Sequence, residues 1–176
     1  MNKSHTCCFT GHRPHKLPFL RNEDHPQYRL LEQQLITNIL KKALTDGCDT
    51  FLTGMAQGID ILCAELVLKI RELIGEHLRL VCAIPYLAQA QRWEATEQAR
   101  YKKILAQADH KILLGSEYAD GCLLARDRFL VEHSAHMIAV YDGASAGGTK
   151  YTLEYAYRKN LSVCEINPNR LMPFAK

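Results

Sequence analysis

A chain of 176 residues, 47% hydrophobic and 23% charged, has the size and composition of one ordinary globular domain, which excludes a disordered or fibrous protein. Its net charge of +3, with eight histidines taken as neutral, suits an anionic small ligand but is too weak to argue for nucleic acid by itself. Seven cysteines make an odd set without framework spacing, and Cys63, Cys82 and Cys164 lie inside apolar runs, so reduced thiols and a cytoplasmic location are expected.

Thr6 to Thr10 reads as a first strand, cut off by Gly11-His12-Arg13-Pro14. The segment on to Pro26 is rich in proline and charge and is expected to form a long loop. Leu31, Leu35, Ile36, Ile39, Leu40, Ala43 and Leu44 then recur at helical spacing, and Gly47 closes that helix. Thr50 to Thr53 is the second strand, and Gly58 leads into an apolar helix carrying Leu62, Leu66 and Ile70. Leu78 to Ile84 is a third strand, stopped by Pro85. Trp93, Tyr101, Ile104, Leu105 and Ala108 mark the buried side of the next helix. His110 to Leu114 is strand four, and a helix follows near Leu123 to Ser134. Met137 to Tyr141 is strand five, ending at Asp142-Gly143. A helix over about Lys150 to Lys159 and a strand from Leu161 to Ile166 complete the alternation.

This alternation predicts an α/β fold over residues 1–176: a Rossmann-like, doubly wound, mainly parallel sheet of about six strands with helices on both faces. The nearly continuous apolar strands are those of a sheet buried on both sides. Residues 167–176 are expected to be an irregular tail. The chain starts without a signal-peptide apolar region and has no apolar stretch long enough to span a membrane.

In a parallel sheet every strand ends at the same rim, and open α/β sheets bind ligands there. Three loops are thereby expected together: Gly11-His12-Arg13, the segment Gly54-Met55-Ala56-Gln57-Gly58-Ile59-Asp60, and Asp142 through Ser145-Ala146-Gly147-Gly148-Thr149. Glycine lets backbone approach a ligand closely, and a following helix offers unpaired N–H groups that attract phosphate. The bland reading of Gly54 and Gly58 is a tight strand-to-helix connection. Asp60 in the first helical turn is either a structural cap or a partner for ribose hydroxyls, since it would repel a phosphate placed on that turn. His12 and Arg13 are candidate phosphate contacts, or simply a polar loop. Lys102-Lys103 and Arg126/Arg128 read from their spacing as solvated helix charges. Cys7 and Cys8 point to opposite faces of a strand, so with His12 and His15 they make no metal site, and no cofactor is expected.

These residues resemble the SLOG superfamily of Rossmann-like nucleotide-ligand binders, and within it the YpsA-like family of bacterial proteins. The resemblance runs through Thr10-Gly11-His12-Arg13, the Gly54–Asp60 loop, Trp93, Ala108-Asp109, Tyr118 and Arg126. It continues along Phe129-Leu130-Val131-Glu132, Val140-Tyr141-Asp142-Gly143 and Gly147-Gly148-Thr149. It implies a cytoplasmic binding or sensing module for a nucleotide-derived ligand (a nucleoside phosphate, ADP-ribose or an NAD-like compound). Gly11, Gly54, Met55, Ala56, Gly58, Gly147, Gly148 and Thr149 would shape that site, with Asp60 and Asp142 beside it. Arg13 and Arg126 would supply positive charge, and Tyr118 either stacks on a base or merely packs.

Two related groups imply alternatives. The Gly54–Asp60 loop is similar to that of the DprA (Smf) DNA-processing proteins, which implies single-stranded DNA as a partner. Stacking aromatics along a cationic groove are not evident in the sequence. Arg126 and Gly147-Gly148-Thr149 resemble the catalytic arginine and glycine motif of the LOG phosphoribohydrolases, which implies nucleotide N-glycoside hydrolysis by Arg126 and Glu154. Here the glycine before threonine is absent and Glu154 lies five residues after Thr149, which displaces the carboxylate by much of a helical turn. A homo-oligomer would be compatible with a rim site completed by a second subunit.

Overall fold

In the computed structural model the six apolar runs pair as one parallel sheet in the order β4-β3-β2-β1-β5-β6. The strands are β1 (Thr6–Gly11), β2 (Thr50–Thr53), β3 (Arg79–Ile84), β4 (His110–Leu113), β5 (His136–Val140) and β6 (Ser162–Ile166). The structure describes residues 1–75, 77–144 and 146–172; Ser145 and the last four residues of the expected tail lie outside them. Among the described residues 167–172 no helix or strand forms.

Alternation along the strands divides the core in two. Cys7, Phe9, Phe51 and Leu80 face helices α1 (Pro26–Leu44), α2 (Ile59–Ile74) and α3 (Ala95–Gln107). Cys8, Leu52, Val81 and Met137 face α4 (Cys122–Glu132) and α5 (Gly148–Arg158). A one-residue slip of register would exchange the two sets, so the paired apolar faces hold register firmly. Phe9 and Phe51 stack across neighbouring strands with centroids 5.9 Å apart.

The chain runs outward from β1 to β4, then returns to lay β5 against the free side of β1. That reversal opens a crevice between the C-terminal ends of β1 and β5. Several local features differ from the sequence expectation. Helix α1 begins five residues before Leu31, at Pro26, because proline suits a first helical position and His25 Nδ1 accepts from the Gln27 N–H at 3.2 Å. The loop before it contains a 3₁₀ turn, Pro18–Arg21, that buries Leu20. Trp93 precedes α3 in a turn and packs edge-on to Tyr101, centroids 5.3 Å apart. Strand β4 is not buried on both sides: as an edge strand it exposes His110, Lys111 and Leu113, and the two cationic-capable side chains discourage edge pairing. All seven cysteines are free thiols, and among the described residues no helix is long and apolar enough to cross a membrane.

Candidate functional site

A cleft of about 510 Å³ lies where β1 and β5 diverge. Its walls are the loop after β1, the loop after β2, the first turns of α4, and the loop into α5. From the sequence-derived set it brings together Gly11, His12, Arg13, Ala56, Asp60, Arg126, Gly147, Gly148 and Thr149. It also brings in Lys16 and Asp127, which sequence reasoning did not single out, and His15, which it weighed only for a metal site.

Arg126 forms the floor. It is not a solvated helix charge: only 4% of it is exposed. Its Nε donates to Asp127 Oδ1 at 2.7 Å, Nη1 donates to the Gly54 carbonyl, and Nη1 lies 3.7 Å from Asp60 Oδ2. One buried guanidinium thus sits between two buried carboxylates, the arrangement that a charge in low dielectric requires. Gly54 is explained by this packing. A Cβ there would lie 2.6 Å from Arg126 Cδ, so the glycine makes room for the arginine.

Asp60 turns back on its own loop. Its Oδ2 accepts from the Ala56 N–H at 3.1 Å, and its carbonyl accepts from Thr53 Oγ1 at 3.1 Å. Thr53 Oγ1 in turn accepts from the Met55 N–H at 3.2 Å. These bonds hold Met55 in the left-handed region at φ 56° with its side chain fully buried. Burial pushes the Asp60 carboxyl up to about 6, against the downward pull of Arg126 and the Ala56 N–H. Gly58, at φ 91°, allows the loop to pass beneath the β1 loop, where a Cβ would come within 2.8 Å of the His12 carbonyl.

His12 ties the β1 loop to the β5 loop. Its Nε2 lies 3.2 Å from both the backbone N and Oδ1 of Asp142, and its ring packs against Tyr141. Burial lowers its pKa and outweighs the opposing effect of Asp142, which keeps the ring neutral at pH 7. Lys16 makes a second tie, donating to the Ala146 carbonyl at 2.8 Å across the mouth of the cleft. Beyond it, α5 starts at Gly148, with Gly147 as an N-cap that offers no side-chain hydrogen bond and no acidic residue in the first turn. Its first-turn N–H groups and the helix dipole therefore present positive potential at this end, beside the Lys16 ammonium.

Other expected site residues lie elsewhere. Tyr118 is 61% exposed, meets Tyr86 edge-on and does not line the cleft. Glu154 is exposed on α5, its carboxylate 3.9 Å from Lys150, and does not line the cleft. Gly58 faces a second cleft, of about 450 Å³, on the far side of Arg13 and His15. There Arg100 pairs with Glu65 through two bonds of 2.9 and 2.6 Å and with Glu97 at 2.7 Å, so that guanidinium is already satisfied. Lys16 was discoverable as a cation three residues after Arg13, and Asp127 as the neighbour of Arg126. Among the described residues no cluster of three or more His, Cys, Asp or Glu is arranged to hold a metal ion.

The family model of the YspA SLOG family matches residues 7–169. A UPF0398 protein of Lysinibacillus sphaericus (strain C3-41) is 26% identical over 144 residues, covering 81% of this chain and 79% of that protein. A UPF0398 protein of Bacillus cereus (strain B4264) is 28% identical over 152 residues, covering 85% and 81%. The X-ray structure of DNA processing protein A (DprA) from Streptococcus pneumoniae superposes with a TM-score of 0.58 at 14% identity. That match covers 91% of this chain but 49% of the other, and it is a likeness of fold.

Proposed function

The chain belongs to the YspA SLOG family, and we propose that its rim cleft binds a nucleotide-derived ligand: a nucleoside phosphate, ADP-ribose or an NAD-like compound. The observation that carries this reading is the N-terminus of α5, without a side-chain cap and with the Lys16 ammonium beside it, lining with Arg13 a 510 Å³ cleft at the sheet's switch point. Anionic oxygens would accept from the α5 N–H groups and from Lys16. Asp60 and Asp127 would repel phosphate from the floor, so the floor suits sugar hydroxyls. The free thiols support a reducing, cytoplasmic setting.

Calorimetry at low salt with ribose 5-phosphate, AMP and ADP-ribose tests the reading. Saturable binding that weakens in Lys16→Met is expected; absence of binding by all three would overturn it.

A second reading is N-glycoside hydrolysis, favoured by a carboxyl raised to about 6 beside a buried arginine in the cleft. Glu154 lies outside the cleft and Asp60 lines it, so in this reading Asp60 would serve as the acid. Release of free base from nucleoside monophosphates, lost in Asp60→Asn, would support it. For single-stranded DNA the prompts are the likeness of the Gly54–Asp60 loop and the fold shared with DNA processing protein A. A mobility shift absent at low salt would dismiss that partner.

A further inference from the structure

Arg13 lines three cavities at once: the large cleft, the second cleft of about 450 Å³, and a small recess of about 80 Å³. The β2 loop joins them in turn. Ala56 lines the large cleft and the recess, and Gln57 lines the recess and the second cleft. The three spaces thus adjoin along Ala56 and Gln57, with Arg13 common to all. The guanidinium groups of Arg100 and Arg126 are held by carboxylates. That of Arg13 is on an exposed side chain that makes no ion pair or hydrogen bond among the described residues. An uncommitted guanidinium where cavities meet suits an anion that it can grip with two donors.

The second cleft also holds a polar group in want of a partner. Tyr28, in the first turn of α1, is only 6% exposed and lines this cleft. Its hydroxyl makes no hydrogen bond among the described residues, yet it is not sealed off from solvent. Glu23 and Arg100, the two charges that act on it most strongly, line the same cleft, so the hydroxyl looks into that space. A buried phenol normally finds a hydrogen-bond partner. Here the glutamates at 23, 94 and 97 offset the cations Arg21 and Arg100, so the walls carry no excess of positive charge for a further phosphate. Hydroxyl and amide groups on Tyr28, Thr96 and Gln57, with carboxylate acceptors beside them, suit the hydroxyls of a sugar.

We propose that the second cleft is a sugar subsite, and that the ligand is a nucleoside diphosphate sugar whose diphosphate lies at Arg13 and whose terminal sugar bonds the Tyr28 hydroxyl. The inference rests on the reading of the large cleft as a nucleotide site. It adds that the ligand continues past Arg13 into a second polar moiety, which a mononucleotide lacks. Selectivity for the longer ligand then resides in hydrogen bonds that only its sugar can make.

Titration calorimetry with three probes tests this: AMP, ADP-ribose, and the β-methyl ester of ADP, which has the charge of ADP-ribose without the terminal sugar. In the wild type ADP-ribose is expected to bind on the order of 10-fold tighter than the methyl ester. Tyr28→Phe keeps the ring and removes the hydroxyl, so it should erase most of that preference and leave the methyl ester binding as before. Equal affinities of the two diphosphates in the wild type, with AMP still bound, would overturn the sugar subsite alone. A preference undiminished in Tyr28→Phe would do the same. Failure of all three probes to bind would overturn the cleft reading and this one with it. The wild-type comparison stands even if the variant folds poorly.

Discussion

Asp60→Asn isolates the electrostatic cost built into the floor of the cleft. Burial holds the Asp60 carboxyl at about 6 in the folded chain, against an ordinary value of 3.8. Between those values the folded chain retains a proton that the unfolded chain has released. Stability attributable to this group therefore falls as pH rises through the window and is level above it. The gap, at about 1.36 kcal/mol per pH unit, corresponds to roughly 3 kcal/mol at neutral pH. Asparagine keeps an oxygen for the Ala56 N–H and removes the charge, leaving Arg126 its pairing with Asp127. Urea denaturation should thus find Asp60→Asn about 1–3 kcal/mol more stable than the wild type at pH 8. The two proteins should converge near pH 4, where both carry a neutral group at this position. All other titrating groups are common to both proteins and cancel in the difference. The opposite pattern, a variant less stable at pH 8 whose deficit shrinks in acid, would mean that Arg126 stabilises the carboxylate more than burial penalises it.

Gly54→Ala should cost about 1–3 kcal/mol by forcing Arg126 out of its seat, and the cost should shrink when combined with Arg126→Met; strictly additive losses would contradict the contact. Gly58→Ala combines φ 91° with an approach to the His12 carbonyl, so a loss of about 1–3 kcal/mol is expected in thermal denaturation, and a neutral outcome would refute the strain. Lys16→Met should leave stability within roughly 0.5 kcal/mol yet weaken ribose 5-phosphate binding and flatten its salt dependence. Glu154→Gln should change neither ligand binding nor base release, and any loss of either would return that residue to the site.

The fold was legible because both faces of the central strands are buried: residues such as Phe9, Leu52 and Ile138 had to be apolar whichever way they pointed, and the runs stood out. The errors fell where burial fails. Strand β4 carries His110 and Lys111 because it is an edge, and an isolated sequence does not reveal strand order. Trp93 matched the helical spacing of Tyr101 and Ile104 but sits in a turn that brings its ring onto Tyr101 by another route. Periodicity registers which residues are buried together, not whether a helix presents them.

The site was legible to the extent that it is made of backbone. Loops after β1, β2 and β5 meet at one rim because a parallel sheet permits nothing else, and the glycines there mark close packing. Each of three also admits a neighbour within the protein: Gly11 admits Ile59, Gly54 admits Arg126, and Gly58 admits the His12 carbonyl. Glycine in sequence reports that something comes close, without naming it. Side-chain partners were legible only when near in sequence, as Asp127 is to Arg126. Gln89 is separated by 34 residues from the Met55 carbonyl it binds and left no periodic or compositional trace. The buried polar groups around the cleft are ones that local patterns do not report: Asp60 raised by burial and Asp127 folded against an arginine. Where a buried polar atom finds its partner is fixed by the folded chain, because the partner is set by tertiary contact and not by local sequence.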